Sequence, residues 1–404
     1  MRFKTCSSTC LAALLMAGNG IAAAAKMPSQ EEMWEIIQKQ QREIEALKKG
    51  QQENSEKAEA AVEVAEQSQT ASSGSASWAE NTQIGGYGEL HYNNLDSKKE
   101  IDFHRFVLYF GHQFTDKLRF FSELELEHSV SGDNQNGEIE LEQAYVEYDL
   151  TQTQHIKGGV FLLPVGILNQ THEPPSFYGV ERNPVEKNII PTTWWAGGIE
   201  LTGEVFPETV SGVSYSFAVH EGLDTNAGNN YAVRKGRQKT SKANANKLAS
   251  TAQFKWTGMP GVELAAAIQY QQDVTQGDDP SAGHALLYET HADIQRGPYG
   301  LRALYAYWDL DGDGPKSVGA DEQTGFYIEP SYRITPKWGV FARYNQWDNQ
   351  AGSNGNDTEK KQYKVGVNFW PHPDVVLKAD AQQQDNEGTS KNDNGYNLGI
   401  GYQF

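Results

Sequence analysis

From residue 83 to the C-terminus apolar side chains recur at every second position, and this period of two limits the fold more than any other feature of the chain. In the segment 118–128, Leu118, Phe120, Leu124 and Leu126 share one face, while Arg119, Glu123, Glu125 and Glu127 share the other. The segment 262–271 sets Val262, Leu264, Ala266, Ile268 and Tyr270 against Glu263, Ala265, Ala267, Gln269 and Gln271. The C-terminus repeats the pattern, with Tyr396, Leu398, Ile400, Tyr402 and Phe404 on one side. Such alternation belongs to strands with one apolar face, not to helices, whose repeat is 3.6.

Sixteen segments of this kind fit between 83 and 404, and their connections alternate in length. Short ones contain Thr115-Asp116, Gly258-Met259-Pro260, Gly297-Pro298, Thr335-Pro336 and Pro371-His372-Pro373. Long ones run near 94–100, 129–138, 164–195, 223–243, 274–283, 310–321, 348–359 and 386–394. Tight turns at one end and long polar loops at the other are the layout of an outer-membrane barrel. A soluble sandwich gives no reason for strict alternation. Aromatic residues recur beside the short turns (Phe114, Tyr148, Phe206, Trp256, Tyr299, Trp338, Trp370 and Phe404), where a periplasmic interfacial girdle would place them. Mean hydropathy is −0.64. No run reaches the roughly 18 apolar residues of a membrane helix, but a barrel hides its lipid face in alternate positions. In hydrocarbon every backbone polar group must find a partner within the protein, so the first strand must meet the last. The expected fold is all-β: a 16-stranded antiparallel transmembrane β-barrel over 83–404, preceded by an N-terminal α-helical coiled-coil segment.

Residues 1–25 read as a secretory signal peptide, with Arg2 and Lys4, an apolar core at 11–17 and Ala23-Ala24-Ala25 before the cut. Both cysteines, Cys6 and Cys10, lie inside it, so the processed chain uses no disulfide. Residues 26–69 are rich in Glu, Gln, Lys and Ala. Ile37 and Ile44 at a positions, with Met33 and Leu47 at d positions, predict a coiled coil, placed in the periplasm. Residues 70–82 read as a flexible linker.

Sixteen strands enclose a lumen wider than side chains can fill, which leaves an aqueous channel. The alternation puts Arg105, Arg119, Arg302, Arg333, Arg343, Glu123 and Glu125 on its wall. The connection 164–195 is the longest before the middle of the barrel, carries five prolines and Trp194-Trp195, and is expected to fold into the lumen. Its charged residues, His172, Glu173, Glu181, Arg182, Glu186 and Lys187, are the predicted pore constriction, with the three glutamates facing Arg105 and Arg119. Opposed charge across a narrow water-filled gap orients polar solutes. Separately, the run 309–314 (DLDGDG) matches the first half of a calcium loop, with Asp309, Asp311 and Asp313 as ligands and Ala320 in place of the usual glutamate. Calcium is the one ion this suggests; no other cofactor is expected.

The runs 140–148 (ELEQAYVEY) and 158–166 (GGVFLLPVG) resemble strands of the sixteen-stranded trimeric porins, most of all the phosphate-selective porin O/P group with an N-terminal coiled coil. The ending Tyr402-Gln403-Phe404 resembles the signal read by the barrel-assembly machinery. The resemblance implies a homotrimer in the lipid of a Gram-negative outer membrane, a third loop folded into the lumen, and, in the namesakes, an arginine ladder with a lysine cluster binding phosphate. This chain departs from that: its third loop has no lysine cluster. Setting aside the eight basic and ten acidic residues of 1–77 leaves 26 basic against 43 acidic, a net charge of −17 for the barrel. The excess of acid suggests a mild cation preference and excludes a nucleic-acid partner. The expected function is a porin for passive diffusion of small hydrophilic solutes or ions. No G-x-S-x-G elbow is present, and no enzymatic step is expected. The alternative is an envelope tether whose coiled coil binds peptidoglycan or a periplasmic partner, with the barrel as anchor.

Overall fold

Alternating apolar residues with lipid on one side and water on the other form strands. The computed structural model, which describes residues 76–130, 137–205, 212–353, 358–387 and 392–404, contains sixteen of them. They are β1 (Thr82–Leu95), β2 (Lys99–Thr115), β3 (Leu118–Glu127), β4 (Ile139–Asp149), β5 (Gln154–Leu162), β6 (Trp195–Glu204), β7 (Val213–His220) and β8 (Ala249–Met259) in the first half. The second half holds β9 (Val262–Gln271), β10 (Ala285–Arg296), β11 (Tyr299–Leu310), β12 (Glu322–Thr335), β13 (Trp338–Asp348), β14 (Lys360–His372), β15 (Val375–Asn386) and β16 (Gly395–Gln403). The expected signal peptide, the heptad segment and residues 70–75 of the linker lie outside the described residues; the rest of the expected linker holds a short helix, Ala76–Glu80, and the first residue of β1.

Each strand runs antiparallel to its sequence neighbours, and β1 pairs with β16 from Tyr87↔Gln403 to Leu95↔Gly395. Phe404 extends the seam: its N–H donates to Gly86 O at 2.8 Å, and its carbonyl accepts from Gly86 N at 2.9 Å. The barrel is closed and no sheet edge meets lipid. Its polarity is the reverse of a soluble globule. Ile84, Ile199, Phe254 and Val365 are 57–72% exposed on the outside, whereas Arg105, Glu123, Lys364 and Asp380 are buried inside. In β9, Leu264, Ile268 and Tyr270 point out, and Ala265, Ala267, Gln269 and Gln271 point in.

The connections alternate as expected, short at 116–117, 150–153, 260–261, 297–298, 336–337 and 373–374. Two details differ. The first long loop, expected at 94–100, is the three-residue turn 96–98, closed by Leu95 N donating to Lys98 O. Trp370 is not part of the outer girdle. Its parity on β14 is that of inward-facing Lys364 and Asn368, so the indole is buried in the lumen, edge-on to Tyr178 at 5.6 Å. Phe369 takes the outward place and stacks on Trp338 at 4.4 Å. Phe114, Tyr148, Tyr299, Trp338 and Phe404 are exposed on the outer surface, and Phe206 lies outside the described residues.

Candidate pore constriction

The third loop, 163–194, leaves β5 and turns inward at Gly166. This glycine has φ +80°, and a Cβ there would sit 2.7 Å from Glu186 Oε1. The close approach lets Glu186 Oε1 accept from both Ile167 N (2.7 Å) and Leu168 N (2.6 Å), while Oε2 accepts from Tyr327 OH (2.8 Å) and Asn183 Nδ2 (3.0 Å). The glycine ending the GGVFLLPVG run is thus a steric requirement for this turn. Around it Phe161, Leu163, Val165, Ile189, Ile190 and Trp194 pack on Leu287, Leu304, Trp308 and Tyr327 of the wall. Burial of each large side chain contributes about 1.5–3 kcal/mol. One side of the lumen is therefore filled by an apolar core, and Trp308 Nε1 donates to Ile189 O at 2.9 Å within it.

The rest of the loop is tied to strands around the barrel by polar contacts. Arg105 of β2 donates to His172 O at 2.8 Å, Arg302 of β11 to Ser176 O at 3.1 Å, and Asn368 of β14 to Phe177 O at 3.1 Å. Val180 N donates to Asp380 Oδ2 of β15 at 2.7 Å. Asn93 of β1 donates to Glu181 Oε1 at 2.9 Å. A loop bonded to five strands on several sides crosses the lumen.

The sequence-predicted residues divide accordingly. Glu181 lies 3.4 Å from His91 Nδ1 and 3.9 Å from Lys98 Nζ. Burial opposes its ionisation, but His91 outweighs this and holds the carboxyl well below the usual carboxylate range. Arg182 donates to Thr193 Oγ1 at 2.6 Å, and Lys187 is exposed toward the long-loop end. His172 is buried beside Glu123. Glu173 is half-buried, its carbonyl accepting from Ser176 N.

The expectation that Glu173, Glu181 and Glu186 face Arg105 and Arg119 is corrected. Arg105 pairs with Glu89 at 2.6 Å, and Arg119 pairs with Glu147 and with Asp149 (2.8 Å) beside the short turn 150–153, away from the loop. Glu186 staples the loop's base and does not face the channel. Arg343 pairs with Glu329 at 2.9 Å, Arg302 with Asp293 at 2.9 Å, and Arg333 lies 3.6 Å from the Trp370 ring centroid. Buried Glu125 stands among the wall carboxylates. Tyr402, opposite Gly88, and Phe404 sit on the closing seam. Asp309, Asp311 and Asp313 are not gathered into one site. Asp309 is extended on β11 opposite Glu322, while Asp313 starts the short helix Asp313–Val318.

A second inward loop, 221–248, supplies residues the sequence reading passed over. It buries Leu223, Tyr231 and Val233 against the same apolar core. Arg234 donates to Lys187 O and Thr192 O, both at 2.8 Å, and Arg237 donates to Thr193 O. Arg182, Arg234 and Arg237 line a cavity of about 600 Å³ at the long-loop end. Among the described residues none of the three is in an ion pair. Burial pulls all three guanidinium pKa values down; for Arg234, Arg237 and Arg182 lower it further, to about 9. Across the cavity Lys239 pairs with Glu138 (2.5 Å) and Glu140. The signal for these residues was the run 234–239 (RKGRQK), basic within an acidic barrel.

Comparison with known proteins agrees with this architecture. An uncharacterized protein of Aquifex aeolicus (strain VF5) is 33% identical over 343 residues, covering 77% of each chain. The outer-membrane channel DcaP of Acinetobacter baumannii has the same fold at 16% identity, TM-score 0.56, covering 80% of this chain and 97% of its own. The anion-selective porin from Comamonas acidovorans is similar at 12% identity, TM-score 0.56, covering 80% and 99%. The family described as phosphate-selective porin O and P matches residues 84–404. With its closed sixteen-stranded wall and inward third loop, the chain belongs to that family, as an outer-membrane channel of the Gram-negative envelope for small solutes or ions.

Proposed function

We propose that the third loop and the loop 221–248 together form the constriction, and that Arg182, Arg234 and Arg237 make it favour small anions. The observation carrying this reading is the convergence of three arginines in one water-accessible cavity with no carboxylate partner among the described residues. An ionised guanidinium stripped of water and crowded by others gains most from an incoming anion. The barrel's acidic excess is partly neutralised around the narrow point. Glu89, Glu329, Asp380 and Glu140 are each held by an arginine or lysine. Glu127, Glu138 and Glu140 face the arginines and give the gap a transverse field.

Passage is passive and involves no chemical step. The tether alternative is not favoured, because an inward-folded loop system serves a channel and not an anchor. The wall assembles as a homotrimer, with Tyr402 and Phe404 read by the barrel-assembly machinery and the N-terminal segment in the periplasm. The test is a planar bilayer holding the full chain in a tenfold KCl gradient. The reversal potential should report anion preference, and Arg234→Ala with Arg237→Ala should move it toward the cation side. A cation-selective wild-type channel would overturn the reading.

A further inference from the structure

We propose that Glu123, Glu142 and His172 form a divalent transition-metal site that fastens the base of the third loop to the β3–β4 wall. His172 Nε2 lies 3.5 Å from Glu142 Oε2 and 3.7 Å from Glu123 Oε1, and the three donor atoms lie within 4.8 Å of one another. All three residues are 1–3% exposed. Bonds of about 2.0–2.1 Å to a tetrahedral Zn²⁺ set donor–donor edges of about 3.3–3.4 Å, close to these separations.

Two of the donors are left over by the protein's own bonding. His172 Nε2 and Glu142 Oε2 are buried with no hydrogen-bond partner. The other ring nitrogen, Nδ1, lies 3.3 Å from Asn169 O, which can only accept, so that bond assigns the proton to Nδ1 and leaves the Nε2 lone pair facing the carboxylates. A ligating histidine is held in this way, with its far N–H on a backbone carbonyl. Asn169 is fixed in turn by Leu163 O, Trp194 O and Trp194 N. Glu123 is oriented by Tyr87 OH at 3.2 Å and Gln143 Nε2 at 2.6 Å.

Charge points the same way. Arg105 pairs with Glu89 at 2.6 Å and donates its other nitrogens to Tyr87 OH and His172 O, so it forms no ion pair with Glu123, Glu125 or Glu142. Glu123, Glu125 and Glu142 are buried together, and among the described residues none of them is in an ion pair with lysine or arginine. Buried carboxylates without a cation are costly, and a dication relieves that cost. The rival occupant is a proton on Nε2. That single N–H would bond one of the two carboxylates at about 2.7–2.9 Å, and neither separation found, 3.5 Å to Glu142 or 3.7 Å to Glu123, is that short. One imidazole with two carboxylates is a borderline donor set suited to Zn²⁺. Two other carboxylate–histidine groups differ from this one. In Glu147, Asp149 and His155 the guanidinium of Arg119 already supplies the cation. In Asp102, His104 and His128 both rings are hydrogen-bonded to the shared carboxylate.

The experiment titrates Zn²⁺ into chelator-stripped full-length protein in detergent. Wild type should bind one tight equivalent per chain, and the metal should raise the unfolding temperature. His172→Gln and Glu142→Gln should each weaken binding at least about 100-fold, while His155→Gln leaves it unchanged. X-ray absorption of the loaded wild type, which needs no variant to fold, should report one imidazole in an otherwise oxygen shell. Absence of tight binding, two or more imidazoles in the shell, or loss of binding in His155→Gln with retention in His172→Gln would each overturn the site.

Discussion

A single buried carboxylate decides whether the third loop can hold its shape. Glu186 accepts from two consecutive backbone N–H groups, a tyrosine hydroxyl and an asparagine amide, and is fully buried. Glu186→Ala leaves Ile167 N and Leu168 N as orphaned donors in an apolar setting, and each unsatisfied buried group costs about 1–3 kcal/mol. The expected loss is roughly 3–5 kcal/mol, read from urea unfolding in lipid vesicles and accompanied by noisier single-channel currents. Arg119→Ala is the contrasting case. Its carboxylates, Glu147 and Asp149, lie beside the short turn 150–153, away from the third loop, so the expected reversal potential equals that of wild type. Both glutamate and arginine look alike in the sequence, as charges inside the barrel. Parity along a strand assigned Arg105, Glu123 and Arg343 to the wall, because alternation is a local rule. No local rule tells whether a charge in a loop faces water or, like Glu186, its own backbone.

At the scale of elements, the strands were legible and the loop interiors were not. Period two and turn residues located all sixteen strands, and the same parity explains the inward Trp370 once it is counted from Lys364. The third loop's inward course was legible from its prolines, apolar pairs and length. The partnership with 221–248 was not, because the contact between Arg234 and Lys187 O joins residues far apart in sequence. The tip of the third loop is docked through Glu181 on His91, Asn93 and Lys98. Its folded pKa lies below its unfolded value, so the docking is fully present above the ordinary carboxylate range and is lost as pH falls through the depressed value. Open-channel noise should therefore stay constant from pH 8 to about 5 and rise only in stronger acid. Glu181→Gln should be noisy throughout. A rise in noise centred near neutrality would show that another group governs the docking. Deleting 170–190 should enlarge single-channel conductance, and an unchanged conductance would remove the loop from the constriction.

The whole molecule rests on one partition, lipid outside and water inside, which two lysines can probe. Ile268 on β9 is 42% exposed on the outer face, flanked by Leu264 and Tyr270 on the same side. Gln253 on β8 is buried on the inner face, lining a cavity that also holds Glu200 and Lys255. In water the outer position would be the tolerant one and the buried inner position the sensitive one. In a bilayer the order inverts. A lysine near the midplane on the lipid face costs about 2–4 kcal/mol, whereas one on the inner face opens onto the water-accessible cavity that Glu200 and Lys255 also line. Ile268→Lys should thus lower the unfolding free energy in vesicles by roughly that amount, and Gln253→Lys by less than about 1 kcal/mol. The closed seam makes the comparison clean, since β1 and β16 leave no edge through which a frayed strand could carry the new charge out of the hydrocarbon. Equal costs at the two positions, or a larger one at Gln253, would mean that the faces of this wall have been assigned the wrong way round.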